Sequence, residues 1–277
     1  MCELFAMSSS MPTEVSFSLD EFSRHGGLTD LHKDGWGIAY YDQNDARIIK
    51  EARSASESAY LRFIKDHSIQ SNIVISHIRL ATKGEVSVRN TQPFARELAG
   101  RLHVFAHNGD LENLDKNLVV HPLKQPCFKP IGNTDSEQAF CYLMENMSLI
   151  WNQHEPPEFS KRLDVIRTFA NKLIKQGIAN FIYSDSEYVF VHSHKRISSK
   201  DHKTILPGLH LVCRSCQVDK DNASISGLTL ATHPAQQKDN QTKKVALVAS
   251  VPLSSNDDWQ ALKEGEIRVL HNGKIII

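Results

Sequence analysis

Apolar and β-branched positions cluster in short runs through the first half of the chain. The segment Gly35-Trp36-Gly37-Ile38-Ala39-Tyr40-Tyr41 indicates a loop that enters a strand, with Ile48 to Glu51 as the returning strand. Asn72 to Leu80 and Leu102 to Ala106 predict two further strands. The region from Met1 to about Arg53 is therefore expected to form short strands around loops.

Helical spacing appears at two places further along the chain. Thr134-Asp135-Ser136-Glu137 has the form of a capping box, with Thr134 as the N-cap and Glu137 as its partner. A helix is expected to follow, because apolar residues recur there at helical spacing: Ala139, Phe140, Leu143, Met144 and Met147. A second helix is expected to end at Gly177, with one apolar face made of Leu163, Ile166, Ala170, Leu173 and Ile174.

Hairpins are predicted at two turn signals, Asp185-Ser186 and Asn272-Gly273, because each is flanked by apolar runs. The remaining expectations for this half are a strand at Val245 to Ala249, a short helix at Asp257 to Lys263 ending at Gly265, and exposed loops at Glu155 to Ser160 and Pro234 to Thr242. Several hairpins and few long helices predict an α+β fold with largely antiparallel sheets.

Composition narrows the class of protein. The chain has 277 residues, of which 40% are hydrophobic and 23% charged, as expected for a globular protein. Lys+Arg and Asp+Glu are equal at 32 each, so no overall field attracts nucleic acid or an anionic membrane. No apolar run approaches the roughly 20 residues of a membrane helix, and no secretory signal is recognisable. Five cysteines do not suggest a disulfide framework, which favours a reducing cytoplasm.

Cys2 is the first candidate for chemistry. It follows Met1 directly, so removal of Met1 would place a thiol and a free α-amine on one residue. Their pKa values, about 8.5 and 7.7–8.0, suit a nucleophile and a base that work near neutral pH. The alternative is that Cys2 is an ordinary strand residue. A retained Met1 would acylate the α-amine of Cys2 and remove the base.

Three further clusters carry polar residues of catalytic type: His77-Ile78-Arg79-Leu80-Ala81-Thr82-Lys83-Gly84, His107-Asn108-Gly109-Asp110, and Asn133-Thr134-Asp135-Ser136-Glu137. Each cluster is unspecific by itself. The tripeptide His271-Asn272-Gly273 repeats the letters of His107-Asn108-Gly109 where a plain hairpin turn is expected. Only the order of the clusters behind Cys2 makes the pattern specific.

Together with Lys33-Asp34-Gly35-Trp36-Gly37 and Asn90-Thr91-Gln92-Pro93-Phe94, these clusters resemble the class-II glutamine amidotransferases, which are N-terminal nucleophile hydrolases. Both of these segments, the opening Cys2-Glu3-Leu4 and Thr134-Asp135-Ser136-Glu137 are most similar to their stand-alone, YafJ-type branch. The strongest resemblance covers about residues 2–150, and Trp259 with Gly265-Glu266 extends it over residues 1–277 as a single domain. The resemblance implies a four-layer αββα sandwich of two antiparallel sheets.

The resemblance also implies roles for individual residues. Cys2 would attack the side-chain amide of glutamine through a thioester, releasing glutamate and ammonia. The Asn108 side chain and the Gly109 N–H would form the oxyanion hole. The amino-acid head of the substrate would be bound by three residues: Arg79 and Thr82 at the carboxylate and Asp135 at the ammonium. His77 is expected to be a buried, hydrogen-bonded strand residue, because the α-amine already supplies the base.

The chain departs from better-known members at Leu80, where they have Trp, and at Glu3, where they have Gly. Both positions adjoin the expected pocket, so a γ-glutamyl small molecule or peptide is an alternative substrate. A catalytically silent member that binds an amino acid or a partner is the second alternative. Released ammonia would go to a separate accepting synthetase or to water.

No metal or other cofactor is predicted from the sequence. Cys213-Arg214-Ser215-Cys216, with His202 and His210 nearby, has no second cysteine pair to complete a zinc site. Alternation of Cys213 with Leu211 instead predicts a buried strand.

Overall fold

The fold was analysed in a computed structural model, which describes residues 2–27, 32–67, 69–112, 114, 126–151, 155–197, 203–217, 224–225, 228–229 and 242–277. Its helices are α1 (Ser16–His25), α2 (Ala59–Asp66), α3 (Asp135–Ser148) and α4 (Phe159–Leu173). Its strands are β1 (Glu3–Glu14), β2 (Trp36–Asp42), β3 (Asp45–Glu51), β4 (Gln70–Ile78), β5 (Phe94–Leu98), β6 (Arg101–Asn108), β7 (Asn180–Ser184), β8 (Val189–His192), β9 (Arg196–Ile197), β10 (Thr204–Ile205), β11 (His210–Gln217), β12 (Ser224–Ile225), β13 (Leu228–Thr229), β14 (Thr242–Ala249), β15 (Gln260–Ala261), β16 (Ile267–His271) and β17 (Lys274–Ile275).

Most strands belong to two antiparallel sheets. The first has seven strands in the order β15-β11-β14-β1-β4-β2-β3, and the second has six in the order β17-β16-β8-β7-β6-β5. β9 pairs with β10 and β12 with β13 as separate two-stranded ribbons. β1 therefore lies in the interior of its sheet, hydrogen-bonded to β4 on one side and β14 on the other.

Three apolar cores separate four layers. One core packs α1 and α2 on the seven-stranded sheet, with Phe5 and Phe22 among its buried side chains. The second lies between the two sheets and contains Leu4 and Val104. The third packs α3 and α4 on the six-stranded sheet and includes Phe140. Because side chains alternate along a strand, Leu4 and Phe5 fill different cores. The predicted α+β fold with an αββα sandwich is confirmed.

Predictions that rest on local signals agree with the structure. The apolar runs at Asn72 to Leu80 and Val245 to Ala249 correspond to β4 and β14. At the hairpin between β16 and β17, Asn272 and Gly273 have φ values of 48° and 71°, as a two-residue turn of this kind requires. The loop predicted at Pro234 to Thr242 lies outside the described residues except for Thr242, which begins β14.

The capping prediction for α3 is half confirmed. Thr134 Oγ1 accepts a hydrogen bond from the Glu137 N–H at 3.2 Å. The Glu137 carboxylate does not return to Thr134 in the described structure. It accepts from the Gly132 N–H at 2.7 Å and pairs with Arg96 at 2.6 Å. Glu137 therefore ties the segment before α3 to the neighbouring sheet.

The expectation of only short strands and loops before Arg53 was wrong. β1 has 12 residues, and the helix α1 follows it directly. The length of β1 is set by its partners rather than by its own pattern, because pairing with β4 continues past a register shift between Ser8 and Thr13. A strand buried on both faces shows little polar–apolar alternation, which hides its length in the sequence.

The short helix predicted at Asp257 to Lys263 is also absent from the described structure. Gln260–Ala261 forms β15 and pairs with β11 at the sheet edge. The Leu262 N–H then donates to Leu209 O at 3.0 Å. The main-chain groups of this segment are thus used by a neighbouring strand and not by a helical turn.

Cys213 lies on a strand as predicted, but the expectation that it is buried was wrong. Leu211 is buried, whereas Cys213 is exposed. β15 pairs only with His210 and Leu211, so β11 becomes an edge strand beyond that point. His202 and the side chain of Cys216 lie outside the described residues.

Replacing Thr134 by Ala should lower the free energy of unfolding by about 1 kcal/mol, because the N-cap acceptor for Glu137 is lost. Thr134→Ser keeps the hydroxyl and serves as the control. Urea unfolding at neutral pH measures both variants. Equal stability of the Ala and Ser variants would show that the cap does not stabilise α3.

Candidate active site

Cys2 is half-buried and lies immediately before β1. Its Sγ contacts the main chain of Leu80, 3.3 Å from the N and 3.4 Å from the O. Burial raises the pKa of the Cys2 thiol, and the Leu80 main-chain hydrogen bond only partly opposes this change. The thiol is therefore held mainly protonated near neutral pH and needs a base to become a nucleophile.

Asn108 ends β6 and reaches across to the start of β1. Its side-chain amide Nδ2 donates a hydrogen bond to the main-chain oxygen of Cys2. Its Oδ1 is buried without a partner among the described residues. The main chain of Asn108 is fixed in turn by Asn180, whose Nδ2 donates to Asn108 O at 3.1 Å. Sequence reasoning missed Asn180, which stands in no motif.

Gly109 continues directly from Asn108, and its lack of a side chain is required by the fold. A Cβ built on Gly109 would lie 1.7 Å from the carbonyl oxygen of Ile178. Only glycine allows the two main-chain segments to approach so closely. The main chain directly after Asn108, the residue that contacts Cys2, is thus packed closely against Ile178.

Arg79 lies one residue past β4, next to Leu80, and is only 3% exposed. Its guanidinium donates to three main-chain oxygens of the following turn: Glu85 at 2.9 Å, Lys83 at 2.9 Å and Gly84 at 3.1 Å. The guanidinium therefore binds the chain itself in this conformation, while its positive charge acts to lower the pKa of the Cys2 thiol.

Asp135 is the first residue of α3 and faces the same turn. Its Oδ2 accepts from the Leu111 N–H at 2.8 Å and lies 3.4 Å from Lys83 Nζ. Thr82 is exposed and its hydroxyl donates to Asp110 at 3.3 Å. Thr82 and Asp135 are thus joined to one another through Lys83 and Asp110.

Two motifs of the sequence support the site from behind. A Cβ on Gly37 would lie 2.3 Å from the main-chain oxygen of Gln92, so these segments pack without a side chain between them. The Gln92 side chain then pairs with the main chain of His107, accepting at 2.6 Å and donating at 3.1 Å. Asp34 accepts from the Ala81 N–H at 2.8 Å and fixes the chain just beyond Arg79.

The nearby histidines do not serve as bases in this geometry. His107 is buried, with Nδ1 2.9 Å from Ser136 Oγ and Nε2 3.1 Å from Ile178 O. His77 is buried as predicted, and its imidazole interacts with the main chain of His107. Burial lowers the pKa of both imidazoles and keeps them neutral.

Glu3 replaces the glycine of better-known members, yet its side chain makes a separate network. The buried carboxylate lies 2.7 Å from His25 Nδ1 and 3.7 Å from Arg196 Nη2. Leu80, the other departure, contacts Cys2 through its main chain. That contact does not depend on the identity of its side chain.

A cavity of about 530 Å³ lies elsewhere and is lined by Ser8, Asn72, Arg101 and His271 among others. None of the predicted site residues lines it, so it is separate from the Cys2 cluster. The described residues contain no group of three or more His, Cys, Asp or Glu side chains arranged for a metal ion.

Comparison with known proteins shows the family to which the chain belongs. The model of the class-II glutamine amidotransferase family matches residues 1–277. A glutamine amidotransferase family protein of Haemophilus influenzae is 35% identical over 100% of this chain and 86% of its own length. YafJ of Escherichia coli is 31% identical over the full length of both chains. The chain belongs to the class-II glutamine amidotransferases.

Solved structures support the same fold. The crystal structure of a predicted glutamine amidotransferase from Pseudomonas aeruginosa covers 100% of both chains, with a TM-score of 0.66 and 27% identity. Glutamine phosphoribosylpyrophosphate amidotransferase of Bacillus subtilis covers 99% of this chain and 48% of its own, with a TM-score of 0.55 and 15% identity. This second likeness shows the N-terminal nucleophile hydrolase fold alone. In the described part of the chain, none of the helices is long and apolar enough to cross a membrane.

Gly109→Ala should destabilise the protein by more than about 2 kcal/mol, since its Cβ would collide with the Ile178 carbonyl. Gly265→Ala is the matched control: Gly265 has a positive φ of 77° but no atom within 4 Å of an added Cβ. The control should lose only the conformational cost of about 1–2 kcal/mol. Urea unfolding of both variants checks the difference, and equal losses would contradict the close packing at Gly109.

Acidification should lower the free energy of unfolding from about pH 7.5 to 5.5. Burial lowers the pKa of His103 to about 3 and of His192 to about 4, and it lowers the pKa of His77 and His107 as well. The unfolded chain, with histidine pKa near 6.5, then binds more protons than the folded one, so stability falls below that pH. Each such histidine contributes up to about 1.4 kcal/mol per pH unit. Urea unfolding at three pH values tests this, and a constant or rising stability would contradict it.

Proposed function

We propose that this protein hydrolyses the side-chain amide of glutamine through a Cys2 thioester and releases glutamate and ammonia. One observation carries the proposal. The start of β1 brings Cys2 against Asn108 on one side and the Arg79–Leu80 segment on the other, with Asp135 facing the same turn. The nucleophile is therefore in contact with an amide donor, and the two residues proposed for the amino-acid head, Arg79 and Asp135, both contact the turn that follows Leu80.

The first step is attack of the Cys2 sulfur on the amide carbon. The thiol proton passes to the α-amine of Cys2 and from there to the leaving nitrogen, so that ammonia departs and a thioester remains. Water then attacks the thioester carbon and gives a proton to the α-amine. The α-amine passes that proton to the leaving sulfur, so that glutamate and the thiol are freed. The raised pKa of Cys2 makes the base necessary, and removal of Met1 makes it available.

The tetrahedral intermediates require donors for their oxyanion. The Asn108 amide and the Gly109 N–H are proposed for this role, because Asn108 contacts Cys2 at the end of β6 and Gly109 follows it directly. The Asn108 amide must exchange the main-chain oxygen of Cys2 for the oxyanion. Losing one such donor typically costs about 100- to 1,000-fold in rate.

The proposed head-group contacts are Arg79 and Thr82 for the carboxylate and Asp135 for the ammonium. Arg79 precedes Leu80, whose main chain contacts Cys2, but its guanidinium must exchange main-chain oxygens of the 83–85 turn for a substrate carboxylate. We infer further that residues 1–277 act as one domain and that ammonia passes to a separate synthetase or to water.

Met1-trimmed protein should release ammonia from glutamine, and Cys2→Ala should lower this activity at least about 1,000-fold because the nucleophile is gone. Cys213→Ala is the matched control, since Cys213 is an exposed cysteine on β11, outside the Cys2 cluster. Intact-mass analysis establishes Met1 removal, and a coupled glutamate dehydrogenase assay measures ammonia.

Equal ammonia release from wild type and Cys2→Ala would overturn the Cys2 mechanism. If trimmed wild-type protein leaves glutamine intact but hydrolyses γ-glutamyl peptides, the substrate is a γ-glutamyl compound. If neither substrate reacts, the protein is a silent member of the family.

A further inference from the structure

The turn formed by residues 82–85 supplies its own groups to both head-group positions. The Arg79 guanidinium donates its hydrogen bonds to the main-chain oxygens of Lys83, Gly84 and Glu85. The Lys83 ammonium lies 3.4 Å from Asp135. Carboxylate oxygens and an ammonium are the groups that an amino acid would bring to these positions. In this conformation the chain therefore occupies the proposed substrate head-group site itself.

The main chain of this turn is firmly held. Gly84 has a φ of 73°, which favours glycine. Asn90 Nδ2 donates to Glu85 O at 3.0 Å and to Asn133 Oδ1 at 2.8 Å. These contacts join the turn to the segment that leads into α3. The Lys83 side chain, by contrast, is 41% exposed and can change its rotamer without disturbing the turn.

Lys83 is anchored by charge at its tip. Its Nζ donates to Leu111 O at 2.8 Å and lies 3.4 Å from both Asp110 and Asp135. Burial lowers the pKa of the ammonium, but the two carboxylates raise it by more, so the pKa lies above its ordinary value. Lys83 therefore stays charged wherever the α-amine of an amino acid is charged.

We propose that Lys83 is a specificity-determining residue whose ammonium competes with the substrate α-ammonium for Asp135. The inference rests on the proposed function, in which Asp135 receives that α-ammonium. When the substrate binds, Lys83 Nζ leaves Asp135 and remains near Asp110, which lies at the same distance. Only molecules in which Lys83 has left Asp135 can bind the substrate α-ammonium there. The apparent affinity for the substrate is therefore lowered in proportion to the fraction of such molecules.

The test uses ligand binding without chemistry. Met1-trimmed Cys2→Ala protein is titrated calorimetrically with L-glutamine and with glutaramate, which is glutamine without its α-amine. Lys83→Met, which removes the charge and keeps the length, should bind L-glutamine about three- to tenfold more tightly, the effect of one or two exposed ion pairs. Its affinity for glutaramate should stay within a factor of about two. Lys83→Arg keeps the cation and should resemble the parent for both ligands.

Other patterns overturn the inference. Weaker or unchanged glutamine binding by Lys83→Met would show that Lys83 assists the substrate or ignores it. An equal gain in affinity for L-glutamine and glutaramate would show that the substitution changes the whole 82–85 turn and not the competition for Asp135. Absence of glutamine binding by every variant would overturn the inference together with the glutamine assignment. If the binding results are as expected but Met1-trimmed wild-type protein releases no ammonia, the proposed function is overturned and the inference about Lys83 stands.

Discussion

The site depends on the main-chain pairing that fixes the first residues of β1. Glu3 is paired with Ile78 on β4, and Phe5 with Ala249 on β14, so the strand cannot slide without breaking two ladders. A slip of one residue would also exchange the side chains that fill the cores on its two faces. Cys2 stands directly before this locked segment. Its position beside Leu80 therefore follows from the register of a buried strand.

The same reliance on main-chain contacts explains why glycines recur in the site motifs. Added Cβ atoms at Gly37, Gly109 and Gly132 would each lie within 2.5 Å of an atom of a neighbouring segment. Main-chain hydrogen bonds and side-chain amides then join those segments, as Gln92 does with His107. Within the 82–85 turn the main chain is tied to Asn90, whereas the Lys83 side chain is partly exposed and can change its rotamer.

Local rules explain which elements the sequence predicts. The N-cap at Thr134 and the turn at Asn272-Gly273 depend on a few neighbouring residues, and both are found. Within the segment Asp257 to Lys263, Gln260–Ala261 forms a strand because β11 offers an edge, which no local pattern encodes. Asn180 escapes prediction for a similar reason, since its role arises only when β7 pairs with β6.

Among the site residues, the motif order singled out Asn108, which contacts Cys2, but it did not predict the present partners of Arg79 and Asp135. The sequence identifies Arg79 as a cation suited to a carboxylate. In the structure its guanidinium instead donates hydrogen bonds to main-chain oxygens of residues 83–85. Long-range placement was inferred from the family resemblance. The contacts of Arg79 and Asp135 with residues 83–85 depend on the backbone conformation of the 82–85 turn, which the motif sequence does not specify.

The electrostatics also limit which group can activate the thiol. Burial works against a Cys2 thiolate, so attack on an amide requires proton removal in the same step. His77 and His107 are buried with lowered pKa values, and both nitrogens of His107 already face Ser136 and Ile178. The α-amine of Cys2 differs from them in being bonded to the same residue as the thiol, and α-amines ordinarily have a pKa of about 7.7–8.0. In the proposed reaction, removal of Met1 therefore does more than expose the nucleophile, because it also creates the base.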